Sequence, residues 1–211
     1  MYKVIFKRLT DLLVAFFALV ILSPVFIIIL VLLSSVNQGK PFFFQRRPGR
    51  NEEIFSIIKF KTMTDEKDAH GNLLPEARRT TKIGEFMRRT SLDEIPQLIN
   101  VLKGDMSLIG PRPLRVHYLP YYTNAERIRH SVRPGITGLA QVSGRNSLSW
   151  DDKLALDITY VKNLSLLLDL KIILKTIKRV LSSEHTVYDP NMLDLDELRK
   201  SLPASESAGP A

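Results

Sequence analysis

Two arginines followed by two acids carry the first chemical signal in the chain: Arg88-Arg89, then Thr90-Ser91-Leu92, then Asp93-Glu94, with Pro96 close behind. A carboxylate can attack phosphorus or hold a hard cation, and a guanidinium grips phosphate oxygens with two donors at once. Acids beside arginines therefore suit phosphoryl transfer. The same residues have an ordinary use. Ser91 through Glu94 matches the S-x-x-E capping box, in which acids satisfy the free N–H groups and the dipole of a helix start. That location would also hold a carboxylate ionised, as a nucleophile must be. Pro96 fits a helix that is only beginning.

Three more arginines sit in proline-bearing turns: Arg47-Pro48-Gly49, Pro111-Arg112-Pro113 and Arg133-Pro134-Gly135. Proline fixes φ and glycine permits tight turns, so each is a stiff loop presenting a cation. One such loop is an ordinary turn. Three in one small domain point to an oligophosphate site. Residues 135–145, GITGLAQVSGR, add three glycines that allow close backbone approach to a ligand, with Gln141 and Arg145 able to read a base or sugar. The four histidines show no metal-ligand spacing, and the absence of cysteine excludes disulfides, iron–sulfur clusters and cysteine-ligated zinc. Any metal would be a hard ion held by oxygen.

These residues need a scaffold, and most of it is patterned. PFFFQRRPGRNEEIFSIIKFKTM, residues 41–63, has two β-rich runs around a turn-forming stretch and predicts a hairpin, with Lys59 and Lys61 on one face. On pattern alone both are solvated strand lysines. Residues 64–80 predict a surface loop with a short helix, and 82–103 two helical segments. Tyr118–His130 and residues 150–163 predict helices, and 131–147 a Gly/Pro-punctuated loop. Residues 164–183 predict an interfacial or core-packed helix with Lys171, Lys175 and Lys178 reaching headgroups. Trp150 and Tyr160 read as core. Asp157 and Asp169 read as caps or lysine partners.

The N-terminus is different. Residues 12–36 carry no charge. As one straight helix these 25 residues would span roughly 37 Å, more than a hydrocarbon core of roughly 30 Å. Ser23-Pro24 divides the run into halves of about 16–18 Å each. Both flanks are basic, Lys3, Lys7 and Arg8 before and Lys40, Arg46, Arg47 and Arg50 after, so the positive-inside rule gives no orientation. A helix bent at Ser23-Pro24 would keep both ends on one face, with the Ser23 hydroxyl bonding back into its own helix. A kinked spanning helix is equally compatible with these residues.

The chain carries 30 bases and 22 acids, a net charge of +8. From Glu184 onward there are six acids and two bases, so residues 1–183 hold 28 and 16, a net of +12. A basic body beside an apolar segment points to anionic headgroups or phosphate substrates. Nucleic acid is the rival reading, but it gives the Ser-Leu-Asp-Glu and Pro-Arg-Pro arrangement no purpose.

The broken apolar helix, IIKFKTM, RRTSLDEIPQLINVLKGDMSLIGPRPL and VRPGITGLAQVSGR, in this order, resemble the small monotopic phosphoglycosyl transferases of bacteria. The resemblance covers roughly residues 1–183. It implies an α+β, mostly helical fold: a re-entrant membrane helix at 1–36, a catalytic domain with a β-hairpin at 37–183 and interfacial amphipathic helices. The acidic, partly disordered tail at 184–211 has no role in the resemblance. The implied reaction moves a phosphosugar from a UDP-sugar to undecaprenyl phosphate, releasing UMP, through a covalent aspartyl intermediate with Mg2+. Asp93 would be the nucleophile and a magnesium ligand, and Glu94 its partner. Lys59, Arg88 and Arg112 would hold phosphate, and Arg133, Gln141 and Arg145 the nucleotide or sugar. The implied location is the cytoplasmic face of the bacterial inner membrane. The partners would be the bilayer and the pathway glycosyltransferases that consume the product, with no nucleic acid. A glycosyltransferase releasing UDP, or a non-catalytic basic phosphate-binding protein on the membrane, is the alternative.

Overall fold

The computed structural model describes residues 2, 6–144, 148–181 and 193–201. It opens with α1, Lys7–Val36, a helix long and apolar enough to cross a membrane. Pro24 lies inside it. Proline cannot donate to the carbonyl four residues back, here that of Val20. The Ser23 hydroxyl donates to that carbonyl instead, at 2.7 Å. The break expected at Ser23-Pro24 is therefore not formed, and α1 runs through both residues without interruption.

One stripe of α1 is buried: Lys7, Asp11, Ala15, Ile29 and Leu33. Their spacing keeps them on a single helical face. Most of the remainder is exposed, with Ile21 at 74%. Apolar exposure on this scale marks a surface built to meet lipid or another protein rather than water. Both ends of α1 are tied to the same body. At the start, Lys7 donates to Asp169 at 2.8 Å, Arg8 to the Val101 carbonyl at 2.7 Å, and Asp11 accepts from Ser107 at 2.7 Å. At the end, Asn37 donates to the Lys61 carbonyl at 3.2 Å.

The hairpin forms as its sequence predicts. β1 (Phe42–Pro48) pairs antiparallel with β2 (Ile54–Phe60), from Phe42↔Phe60 to Pro48↔Ile54. Phe26 of α1 packs on Phe60 and Phe42, with centroids 5.0 and 6.1 Å away, so the open end of the hairpin leans on the apolar helix. Next come α2 (Glu76–Arg79), α3 (Lys82–Thr90) and α4 (Gln97–Lys103). Asn100 is fully buried and clips α4 to β2, accepting from the Ile58 N–H at 3.0 Å and donating to the Ser56 carbonyl at 2.8 Å.

A second, parallel pair joins β3 (Ser107–Ile109) to β4 (Gly135–Thr137). Here Gly135 and Gly138 serve the fold. A Cβ on Gly135 would stand 2.1 Å from the Gly110 nitrogen, and one on Gly138 would stand 2.1 Å from the Gly110 carbonyl oxygen. Backbone meets backbone at both positions. The helix expected over Tyr118–His130 is instead two 3-10 turns, Val116–Tyr121 and Glu126–Ser131. Pro120 lacks the N–H that a continuous helix requires. Within the expected loop at 131–147 a short helix, α5 (Leu139–Ser143), follows β4. α6 (Trp150–Lys162) is capped by Ser149, which accepts from the Asp152 N–H, and α7 (Leu166–Leu181) follows.

Residues 195–201 of the expected tail form α8 (Leu195–Ser201), and it is docked. Leu195 is fully buried in a cluster with Tyr118, Tyr122 and Leu154. Arg115 reaches Asp194 at 2.6 Å, Arg199 reaches Glu126 at 2.8 Å, and the Trp150 indole donates to the Leu193 carbonyl at 2.8 Å. Asp194 thus neutralises a cation of the basic body, and Arg199 meets one of its acids. His117, Asp194 and Asp196 could place ligand atoms within 4.8 Å of one another, but Asp194 and Asp196 are already matched by Arg115 and Lys200.

Candidate active site

α3 ends at Ser91, whose φ of 58° is left-handed. That reversal turns the chain into a single 3-10 turn, Leu92–Glu94, and sends both acids into a groove of about 1120 Å3. Ser91 makes no side-chain cap, so the capping box suggested by S-x-x-E is not formed. Ile95 and Pro96 then lead into α4.

β2 brings the opposing charge. Lys59 donates to Glu94 Oε1 at 2.6 Å and stands 3.7 Å from Asp93 Oδ2. Arg112 donates to the same Glu94 oxygen at 3.0 Å. The two acids are therefore unequal. Burial opposes the charge on Glu94, yet Arg112 and Lys59 hold its carboxyl down at about 2. Burial is also the largest influence on Asp93 and pushes its carboxyl up, aided by Glu94 and only partly offset by Lys59, Arg112 and Arg88. The expected helix-dipole stabilisation of Asp93 is replaced by a desolvated carboxylate. Among the described residues Asp93 accepts no hydrogen bond, whereas Glu94 is held by two cations. A poorly solvated carboxylate without a hydrogen bond, beside a fixed neighbour, can present an oxygen to an electrophile or a hard cation.

The supports of this pair come from distant parts of the chain. Arg88 lines the groove and donates to Thr62 at 3.0 Å. The Arg112 carbonyl accepts from Arg129 at 2.7 Å. Arg129 is itself buried and donates twice to Asp157 of α6, at 2.8 and 3.1 Å. A buried ion pair thus fixes the loop that aims Arg112 at Glu94.

The description "bacterial sugar transferase" belongs to the family model that matches residues 2–183. The chain belongs to that family. The transferase is 52% identical over 181 residues to the uncharacterized sugar transferase EpsL of Bacillus subtilis, covering 85% of this chain and 89% of that protein. It is 39% identical over 191 residues to the exopolysaccharide production protein ExoY of Sinorhizobium fredii, covering 82% and 84%. It is 36% identical over 185 residues to the UDP-glucose:undecaprenyl-phosphate glucose-1-phosphate transferase of Klebsiella pneumoniae, covering 83% of this chain but 40% of that longer protein.

Of the residues singled out from the transferase sequence, Lys59, Arg88, Asp93, Glu94, Arg112 and Gln141 all line one groove. Gln141 donates to the Ile136 carbonyl at 2.8 Å. Arg133 is not among the groove residues and donates to the Gly104 carbonyl at 2.8 Å, bracing the loop after α4. Arg145 lies outside the described residues. Ser23 and Pro24 lie in α1. Asp169 pairs with a lysine as expected, Lys7, while Asp157 pairs with an arginine. Sequence reasoning missed Asn100, Arg129 and the role of Asp157. The partners that matter here, Ser56 and Ile58 for Asn100 and Arg112 and Asp157 for Arg129, lie 17 to 44 positions away, and no local pattern announces them.

Proposed function

We propose that the chain transfers a phosphosugar from a UDP-sugar to undecaprenyl phosphate, releasing UMP, as a phosphoglycosyl transferase acting in two displacement steps. The observation that carries this reading is the unequal pair: Asp93 buried, 3.7 Å from Lys59 and accepting no hydrogen bond among the described residues, and Glu94 held ionised by Lys59 and Arg112. A relative from Aeromonas hydrophila, 39% identical over 188 residues, is named a UDP-N-acetylgalactosamine-undecaprenyl-phosphate N-acetylgalactosaminephosphotransferase.

In the first step an Asp93 oxygen attacks the β-phosphorus. The bond from that phosphorus to the bridging oxygen breaks, and UMP leaves with the electron pair. In the second step an oxygen of the lipid phosphate attacks the acyl phosphate and returns Asp93 to its carboxylate. Arg88 and Arg112 offset charge on the phosphate oxygens, and Lys59 is shared between the acids. The donor set suits Mg2+, with Asp93 supplying carboxylate oxygen and the substrate diphosphate the remainder. Bound there, the ion would reduce repulsion between a carboxylate and a diphosphate. Glu94, already held by two cations, positions them.

The reading places α1 as a re-entrant helix with the groove at the cytoplasmic face of the inner membrane. Basic residues on both flanks and polar ties from both ends to one body support it. The test is incubation with a panel of UDP-sugars, polyprenyl phosphate and Mg2+. UMP release is expected; UDP release would mean attack at the sugar carbon. Asp93→Asn is expected to abolish UMP release, and full turnover by that variant would remove Asp93 as nucleophile.

A further inference from the structure

The face of the hairpin that looks into the groove carries a cation for which the reaction described above has no use. Side chains alternate along a strand, and directly paired residues share a face. Phe43, Gln45 and Arg47 of β1 therefore lie on one face with Lys59, the partner of Phe43, and all four line the groove. Arg47 is followed by the fully buried Pro48, so its backbone is fixed. Its guanidinium donates to Gln45 Oε1 at 2.6 Å, and its Nε is buried with no acceptor.

The neighbouring cations are matched by acids, and Arg47 is not. Arg112 has Glu94 at 3.0 Å and Arg115 has Asp194 at 2.6 Å. Glu52, in the hairpin's own turn, is taken by Arg127 at 2.6 Å. Among the described residues no carboxylate lies within ion-pair distance of Arg47. Burial, then Arg112 and Arg115, push the Arg47 guanidinium down to about 10. A half-buried cation facing two others is costly until an anion arrives.

The register says which anion. Phe42 and Phe60, at the open end, lean on Phe26 of α1, so this end is nearest the apolar helix. Arg47 lies four residues farther along the strand than Phe43, about 13 Å toward the turn. On the phosphoglycosyl-transfer reading a lipid phosphate would reach Lys59 and Asp93 from the α1 side, which leaves the turn end to the water-soluble donor. We propose that Arg47, oriented by Gln45, is the subsite for the phosphate of the leaving nucleoside monophosphate. This rests on the phosphoglycosyl-transfer reading and adds a residue which that reading does not require.

The experiment uses the full chain in detergent or nanodiscs, with UMP as the probe. UMP affinity is measured by calorimetry for wild type, Arg47→Gln and Arg47→Lys, alongside the KM for UDP-sugar and for polyprenyl phosphate. Arg47→Gln is expected to weaken UMP binding by at least about tenfold, the scale of a lost charge-assisted hydrogen bond. It should raise the donor KM to match and leave the acceptor KM unchanged. Arg47→Lys, which keeps the charge and loses the fork, should fall between. Thermal melts of both variants confirm folding, and either folded variant suffices. Unchanged UMP affinity overturns the assignment. A raised acceptor KM with an unchanged donor KM also overturns it and gives Arg47 to the lipid phosphate. A wild-type chain that releases UMP beside unaffected variants removes this subsite alone. A wild-type chain that releases no UMP removes the reaction and the subsite together.

Discussion

Replacing Asp157 with Asn probes the site through its foundation. Arg129 is 3% exposed and sends two charge-assisted hydrogen bonds to Asp157 and one to the Arg112 carbonyl. The amide oxygen of Asn keeps the shape and loses the charge, leaving a buried guanidinium without a counter-ion. Breaking a buried pair in this way costs about 3–5 kcal/mol, set against a typical stability of about 5–15 kcal/mol. The variant should fold but unfold at lower denaturant, and Trp150, the sole tryptophan, reports the transition. Its turnover should fall more than its stability predicts, because Arg129 no longer pins the loop that aims Arg112. A misplacement of roughly 1 Å in such a support costs on the order of a hundredfold in rate. The decisive assay is a cycle of UMP-release rates for Asp157→Asn, Arg112→Ala and the double variant. If Asp157 acts through Arg112, Asp157→Asn costs little in the Arg112→Ala background. Losses that multiply in full would refute the reasoning.

Two further outcomes follow from buried groups away from the acids. Burial, Arg129 and Arg127 push the His130 imidazole down to about 3, and Glu52 engages Arg127 as well as lying 3.5 Å from His130. The unfolded chain takes up this proton near 6.5 and the folded chain does not, so stability is full above pH 6.5 and declines as pH falls towards 3. The slope should approach about 1.4 kcal/mol per pH unit. Denaturant midpoints that stay flat from pH 6.5 to 5 would contradict it. Ending the chain at residue 183 removes the Leu193 carbonyl from the Trp150 indole and uncovers the Tyr118–Leu154 cluster. Trp150 emission should shift to longer wavelength; an unchanged spectrum would mean that α8 does not cover this cluster in solution.

Local chemistry made part of this molecule readable in advance. The hairpin followed from β-rich runs around Pro48-Gly49, and α6 and α7 from their apolar spacing. The Ser23 hydroxyl was legible because proline's missing donor leaves one definite carbonyl to satisfy. Arg88, Asp93 and Glu94 were legible from their spacing and Arg112 from its proline-bearing turn, but Lys59 joined them only through family resemblance. Lys59 and Glu94 are 35 positions apart, and the strand pattern alone made Lys59 a solvated lysine. What stayed hidden depends on tertiary pairing. β3 and β4 are three residues each and meet across 28 positions, with glycines spent on backbone approach. α8 looked like an unattached acidic tail because its partners, Arg115, Glu126 and Trp150, lie 43 to 79 positions upstream.

The anchoring of α1 also sets an order of events during synthesis. Lys7 and Asp11 carry charge at the edge of an apolar segment, and their partners, Asp169 and Ser107, lie 162 and 96 positions downstream. At a translation rate of about 5–20 residues per second, Asp169 is made about 8–32 s after Lys7. The apolar helix therefore leaves the ribosome long before the final partners of its polar end are made. During that interval Lys7 and Asp11 can hold each other, one helical turn apart. The last long helix then exchanges that temporary partner for Asp169, and closure of the body on α1 waits for the C-terminal third of the chain.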